Sequence, residues 1–149
     1  MKKQKGQVIV EFAIVLPLFL FLIFGLIYSG MLFHDYSTLS NIARSAAREK
    51  AISTVATDAA ILEHYYDSAN KQFKGGLLTQ LYKPVSEDNP ITFTNGNKTV
   101  IDGEGHETTV SDTDDIIVTI GMQLNTSLPF IDIVLPPNFN IVYHMRKDS

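Results

Sequence analysis

The sequence predicts an α+β protein in which a long N-terminal α-helix packs on a small antiparallel β-sheet domain. Three observations predict this fold. An apolar run without any charge extends from Phe12 to Phe33. The next stretch, residues 35–74, has neither glycine nor proline and carries apolar residues at helical spacing. The remainder, residues 75–149, alternates β-branched segments with turn residues. The length of 149 residues is enough for one domain with an appendage.

The composition excludes several classes of protein. Apolar residues make up 45% of the chain and charged residues 19%, which excludes wholesale disorder. The absence of cysteine excludes a disulfide scaffold, a thiolate zinc site and a cysteine nucleophile. The formal net charge is −4, and a basic cluster stands only in the first five positions, so we expect no nucleic-acid partner.

The apolar run has the length of a membrane span. Its 22 residues would form ~33 Å of helix, and a bilayer core is ~30 Å thick. The run is too long for a cleavable signal peptide, and no small-residue cleavage site follows it. We therefore predict a retained transmembrane helix over residues 7–33. Three lysines precede this helix and Asp35 follows it, so the positive-inside rule predicts a cytoplasmic N-terminus and an extracytoplasmic body.

Four residues in this segment depart from a plain apolar helix. Glu11 carries a charge that costs ~2.5 kcal/mol or more at the bilayer centre, so it either reaches water at the headgroup edge or has a partner. Pro17 removes one helix hydrogen bond, which kinks or locally melts the helix, with or without a functional role. Gly25 and Ser29 form a pair of small residues that either allows close helix approach or reflects ordinary use of such residues in membranes.

The N-terminal residues resemble a known processing signal. Gly6 to Phe12, GQVIVEF, look like the cleavage motif of type IV prepilins, in which a basic leader ends in glycine and a glutamate is the fifth mature residue. Glu11 followed by Phe12 is the variant of the tight-adherence (Tad, or Flp) branch, and the wider stretch resembles its TadE-like minor pilins. The residues that match their pattern are Gln7, Val10, Glu11, Phe12, Ala13, Leu16, Pro17, Leu18, Phe24 and Gly25, and more loosely Ala43, Arg44, Ala47 and Arg48.

The resemblance implies a pilin-like fold and a structural subunit, not an enzyme. A prepilin peptidase would remove the leader, residues 1–6, by cutting between Gly6 and Gln7. The new amino group at Gln7 would then neutralise Glu11, in its own chain or a neighbour's, during assembly. Phe12, Pro17, Gly25 and Ser29 are the other assembly residues that we predict. The subunit would wait in the cytoplasmic membrane as a single-pass protein and then join or prime an adhesive Tad-type pilus.

The implied partners are membrane lipid, other pilins, the Tad-type assembly machinery and the prepilin peptidase. We expect neither a cofactor nor a small-molecule substrate. One alternative stays open, in which the chain is a membrane-anchored extracytoplasmic binding module, similar to an adhesin, that is not processed as a pilin. A membrane-anchored hydrolase would need a residue set that the sequence lacks.

The helix is predicted to continue outside the membrane over residues 34–74. Ser53-Thr54 is a weak point where it bends or breaks, and Gly75-Gly76 is a stop signal. The first part of its apolar stripe is rich in alanine and suits tight packing against other helices. The later part is rich in tyrosine, leucine and phenylalanine and suits a sheet laid over it.

Three to five short strands are predicted in the C-terminal domain, residues 75–149. Asn95-Gly96, between two alternating segments, predicts a hairpin turn. Residues 115–124 and 139–146 are the clearest strands. Between them, residues 128–135 form an apolar segment bounded by prolines, which either covers the core or meets a partner. The residues of that possible partner surface are Phe130, Ile131, Ile133 and Val134.

The usual chemical motifs are missing from the sequence. The four histidines lie at least 30 residues apart, and there is no metalloprotease motif, nucleophile elbow or Walker loop. The acidic segments 102–107 and 112–115 lack the EF-hand spacing, so they either hold Ca²⁺ or are solvated loops. We therefore predict no catalytic residues and no metal site.

Overall fold

The computed structural model describes residues 3–53, 57–101, 107–125 and 135–147. A long helix α1 (Lys3–Ile52) and a short helix α2 (Asp58–Tyr65) come first. The strands that follow are β1 (Tyr66–Asp67), β2 (Gln72–Phe73), β3 (Tyr82–Pro84), β4 (Ile91–Ile101), β5 (Glu107–Leu124) and β6 (Asn138–Arg146). All strand pairs are antiparallel, so the predicted α+β fold is confirmed.

Helix α1 extends far beyond the domain that it carries. Its 50 residues correspond to ~75 Å at 1.5 Å per residue. The helix is continuous through Pro17, so the local melting that this residue was expected to allow is not observed. Among the helix residues whose burial is described, those from Val8 on, the first buried side chains are Asp35 and Leu39.

The prediction that this helix continues to Lys74 is wrong. Helix α1 ends at Ile52, next to the predicted weak point at Ser53-Thr54. Thr57 then starts α2 as its N-cap, because its side-chain oxygen accepts a hydrogen bond from the Ala60 N–H and its carbonyl accepts from Ile61. Beyond α2 the chain turns into the hairpin β1–β2, in which Tyr66 pairs with Phe73. Their rings pack edge to face with centroids 5.2 Å apart.

We predicted that Gly75-Gly76 ends a helix. In the structure these two glycines instead follow the β1–β2 hairpin. Gly75 lies so close to α1 that a Cβ atom would come within 2.6 Å of the Thr38 methyl group and 3.1 Å of Ile42 Cδ1. Gly76 adopts φ 69°, a left-handed conformation that favours glycine. The two glycines therefore allow the chain to pass closely over α1 between β2 and β3.

Strand β5 is the centre of the larger sheet. Its residues 116–120 pair with both β4 and β6, and Met122 pairs with both β3 and β6. Because a strand has two edges, β6 lies along one edge of β5, and β3 and β4 follow each other along the opposite edge. Strand β6 ends opposite Asp115, so the first half of β5 and the end of β4 form a two-stranded ribbon beyond the helix-covered part.

The predicted hairpin turn at Asn95-Gly96 is also wrong, although both flanking segments are strands. Strand β4 runs through these residues with a register shift between them, and the connection to β5 comes only after Ile101. A Cβ atom at Gly96 would lie 2.8 Å from Asp115 Cβ and 2.7 Å from its Cγ. The glycine is therefore needed at this bulge for close approach of two strands, and not for a turn.

The core lies between α1 and one face of the sheet. Alternate residues of β5 are buried, as a strand with one covered face requires, and they are Ile116, Val118, Ile120 and Met122. From α1 the buried residues are Leu39, Ile42, Ala43, Ala46 and Ala47. The alanine-rich part of the stripe thus packs against the protein's own sheet, whereas we had expected it to pack against other helices. Small side chains let the helix approach the sheet closely.

Candidate membrane and assembly surface

The N-terminal part of α1 presents apolar side chains on all sides. From Val8 to Phe33 most of its large apolar residues are exposed, with values from 40% for Leu16 to 78% for Phe21, and Ile23, Met31 and Leu32 are half-buried. This helix is long and apolar enough to cross a membrane, and none of its most apolar window of 18 residues is buried by the described chain. A helix that is apolar all round and has no protein cover needs an apolar environment, such as a bilayer or other helices.

The predicted assembly residues lie along this helix, on more than one face. Glu11 and Ser29 are 18 residues apart, which is five turns at 3.6 residues per turn, so they share a face. Gly25 lies one turn before Ser29 on that face, and a Cβ atom there would meet nothing within 4 Å. Phe12 and Pro17 point about 100° and 120° away from Glu11, to opposite sides. The structure therefore groups Glu11, Gly25 and Ser29 and separates the other two.

Other predicted sites lie at or beyond the limits of the described residues. Gly6 and Gln7 belong to the first turns of α1. Phe130, Ile131, Ile133 and Val134 lie outside the described residues, as does most of the acidic segment 102–107. The second acidic segment, residues 112–115, is part of β5. Within the ranges that the structure describes, no group of three or more His, Cys, Asp or Glu residues could hold a metal ion.

Asp35, just beyond the apolar run, joins α1 to the body. Its carboxylate accepts hydrogen bonds from the Leu78 N–H at 2.7 Å, the Thr79 N–H at 2.8 Å and the Thr79 hydroxyl at 2.5 Å. The residue is only 7% exposed. Burial acts to raise the pKa of Asp35, but hydrogen bonds from Thr79, Leu78 and His34 outweigh it, and the pKa lies below its ordinary value. Asp35 therefore stays ionised and fastens the loop between β2 and β3 to α1.

A groove opens beside this contact, where α1 meets the sheet. We call it the junction groove; its volume is about 420 Å³. The apolar and aromatic side chains that line it include Leu32, Tyr36, Leu39, Leu77, Tyr82 and Phe139. The Phe139 ring packs edge to face on Tyr82, with centroids 4.8 Å apart, and lies 6.1 Å from the Tyr36 ring. The Tyr82 hydroxyl donates a hydrogen bond to the Pro136 carbonyl at 2.9 Å. The Tyr82 ring is therefore held by this hydrogen bond as well as by its contact with Phe139.

Sequence reasoning missed both the Asp35 contact and the groove. In the sequence, Asp35 indicates only a charge asymmetry across the membrane. The residues that resemble the end of the family pattern also have a structural role. Ala43 and Ala47 are fully buried under the sheet, and the Arg44 guanidinium lies 5.5 Å from the centre of the Tyr143 ring on β6. These residues hold α1 against the body.

Comparison with known proteins gives a match for the N-terminal part of the chain. The family model described as TadE-like protein matches residues 6–48, which include the apolar run, Asp35 and the Ala43–Arg48 segment. Comparisons with curated proteins and with solved structures give no match. This match confirms the resemblance seen in the N-terminal residues: residues 6–48 are similar to TadE-like proteins.

Proposed function

We propose that this chain is a minor pilin or pseudopilin that takes part in building or priming a Tad-type pilus. It is made as a single-pass protein of the cytoplasmic membrane, with α1 as its anchor and the body outside. A prepilin peptidase cuts it after Gly6, and it then joins other pilins through α1. The observation that carries this proposal is the match to the TadE-like family model over residues 6–48, together with the apolar N-terminal part of α1 that the described body leaves uncovered.

Glu11 and the small residues on its face support the assembly step of this proposal. Glu11 stands at the start of an exposed apolar helix, so its carboxylate would meet either headgroups or lipid. Cleavage after Gly6 would create an amino group four residues away, on its own chain or on a neighbour's. An ion pair between them would fix the register of adjacent helices. Gly25 and Ser29 on the same face would let a neighbouring helix approach closely.

The first experiment determines the N-terminus of the protein from membranes of its native host, by intact mass or N-terminal sequencing. We expect a mature chain that starts at Gln7, and we expect Gly6→Leu to abolish the cleavage. A chain that keeps its leader in cells with an active prepilin peptidase would refute the pilin proposal. It would favour the alternative of a membrane-anchored binding module.

The second experiment tests Glu11 in pilus assembly. We expect Glu11→Leu to insert into the membrane and to be cleaved, but to lose incorporation or pilus formation. Val15→Leu is the matched control, because Val15 lies one turn further on the same face and is also exposed, at 54%. A plain anchor would tolerate Glu11→Leu, since removal of a charge favours insertion. Normal piliation of this variant would therefore contradict the assembly role.

A further inference from the structure

We propose that the junction groove and the loop that Asp35 holds lie in the headgroup layer of the bilayer, and that the groove takes the acyl chain of a membrane lipid. The body of the protein then rests on the membrane surface and does not swing freely above it. This inference rests on the membrane-spanning part of the proposed function, and on no step of pilus assembly.

The height of the loop above the membrane follows from the Asp35 contact. Asp35 lies two residues beyond Phe33, the last residue of the apolar run, which is ~3 Å along a helix. Its carboxylate bonds directly to the backbone N–H groups of Leu78 and Thr79. If the apolar run spans the bilayer core, these hydrogen bonds place the loop within the headgroup layer.

The side chains at this level suit a lipid surface better than water. Leu78 on the loop is 55% exposed, and Phe33 on the helix is 74% exposed. Tyr36, one turn beyond Leu32, is 50% exposed. Tyrosine is enriched at membrane interfaces, because its ring contacts acyl chains while its hydroxyl reaches water and headgroups. In water these side chains would be an exposed apolar patch next to the helix.

One end of the groove lies at the level of the apolar run. Leu32, Tyr36 and Leu39 lie on one face of α1 and line the groove over ~10 Å of helix. Leu32 belongs to the apolar run, so one end of the groove lies at the depth of the acyl chains. Leu39 is buried in the core, so the other end lies inside the body. An apolar cleft that begins in hydrocarbon is continuous with the membrane and fits an acyl chain.

The chain lacks tryptophan, so one introduced tryptophan is a unique fluorescent reporter. The full-length protein is reconstituted in phosphatidylcholine vesicles whose acyl chains carry bromine, a contact quencher. Leu78→Trp and Tyr36→Trp report on the junction. Phe21→Trp, in the middle of the apolar run, is the control for insertion. Val110→Trp is the control in water; Val110 is 45% exposed and lies twelve residues along β5 from Met122, or ~40 Å.

We expect brominated lipid to quench Phe21→Trp strongly, Tyr36→Trp, which lines the groove, clearly, and Leu78→Trp, at the level of the headgroups, more weakly. Each of the three should have a blue-shifted emission, and Val110→Trp should be unchanged. Aqueous acrylamide should give the reverse order. If Phe21→Trp is quenched while both junction reporters behave as Val110→Trp does, this inference is refuted and the membrane span stands. If Phe21→Trp is not quenched, the membrane-spanning part of the proposed function fails, and this inference fails with it.

Discussion

Asp35 and Thr79 are 44 positions apart in the chain, yet they form a buried contact in which Thr79 donates two hydrogen bonds to one carboxylate oxygen. The other oxygen accepts from the Leu78 N–H. This is the point nearest the apolar run at which the helix and the body are joined by buried polar groups. The contact therefore decides how firmly the body is fixed to its anchor.

Loss of this carboxylate should destabilise the body. We expect Asp35→Ala to lower the free energy of unfolding by roughly 3 kcal/mol, because it leaves buried N–H groups without an acceptor. Thermal unfolding of the full-length protein in detergent micelles, followed by near-ultraviolet circular dichroism, measures the loss. Asp67→Ala is a matched control, since Asp67 also accepts three hydrogen bonds, but within an exposed turn. An equal effect of the two substitutions would contradict the special role of Asp35.

The same contact predicts a dependence of stability on pH. In the folded protein the pKa of Asp35 lies below its ordinary value of 3.8. Between the folded and the unfolded pKa, Asp35 therefore binds a proton more readily in the unfolded chain than in the folded one. The stabilisation is therefore complete above about pH 4 to 5 and is lost as the pH falls through the folded pKa. Melting temperatures measured from pH 7 to pH 2.5 should fall less steeply for Asp35→Asn than for the unaltered protein. Parallel curves would show that the contact does not titrate.

The buried alanines of α1, Ala43, Ala46 and Ala47, give a prediction that separates folding from assembly. Ala46 is fully buried under the sheet, whereas its neighbour Ser45 is exposed. We expect Ala46→Leu to destabilise the body by about 1–3 kcal/mol, because the extra atoms would separate helix and sheet. Ser45→Leu should change stability little. The same unfolding measurement compares them, and a stable Ala46→Leu protein with defective assembly would instead favour our first expectation, that these alanines pack against other pilins.

The parts of the fold that sequence predicted correctly have strong local signals. The apolar run needs no partner to be recognised, and the alternation along residues 115–124 shows directly in the buried face of β5. The errors concern residues whose role is set by distant neighbours. Gly75 lies in a sequence that usually ends a helix, and Gly96 in one that usually forms a hairpin turn. In the structure, Gly75 instead allows the chain to pass close to Thr38, and Gly96 allows it to pass close to Asp115. The Asp35 contact joins residues 44 positions apart, so local pattern could not reveal it.

Gly96 offers the sharpest test of that distinction. If it formed a turn, alanine there would act mainly through backbone strain. In the structure it lies at a bulge within β4, and a Cβ atom would come within 2.8 Å of Asp115 Cβ, which cannot move without its strand. We therefore expect Gly96→Ala to lower the free energy of unfolding by about 1–3 kcal/mol through overpacking.

Asn97→Ala, at the next and exposed position, should be nearly neutral. Because the clash is with the Asp115 side chain, Gly96→Ala combined with Asp115→Gly should recover part of the loss in a double-mutant cycle. Strictly additive losses would mean that these two residues do not meet.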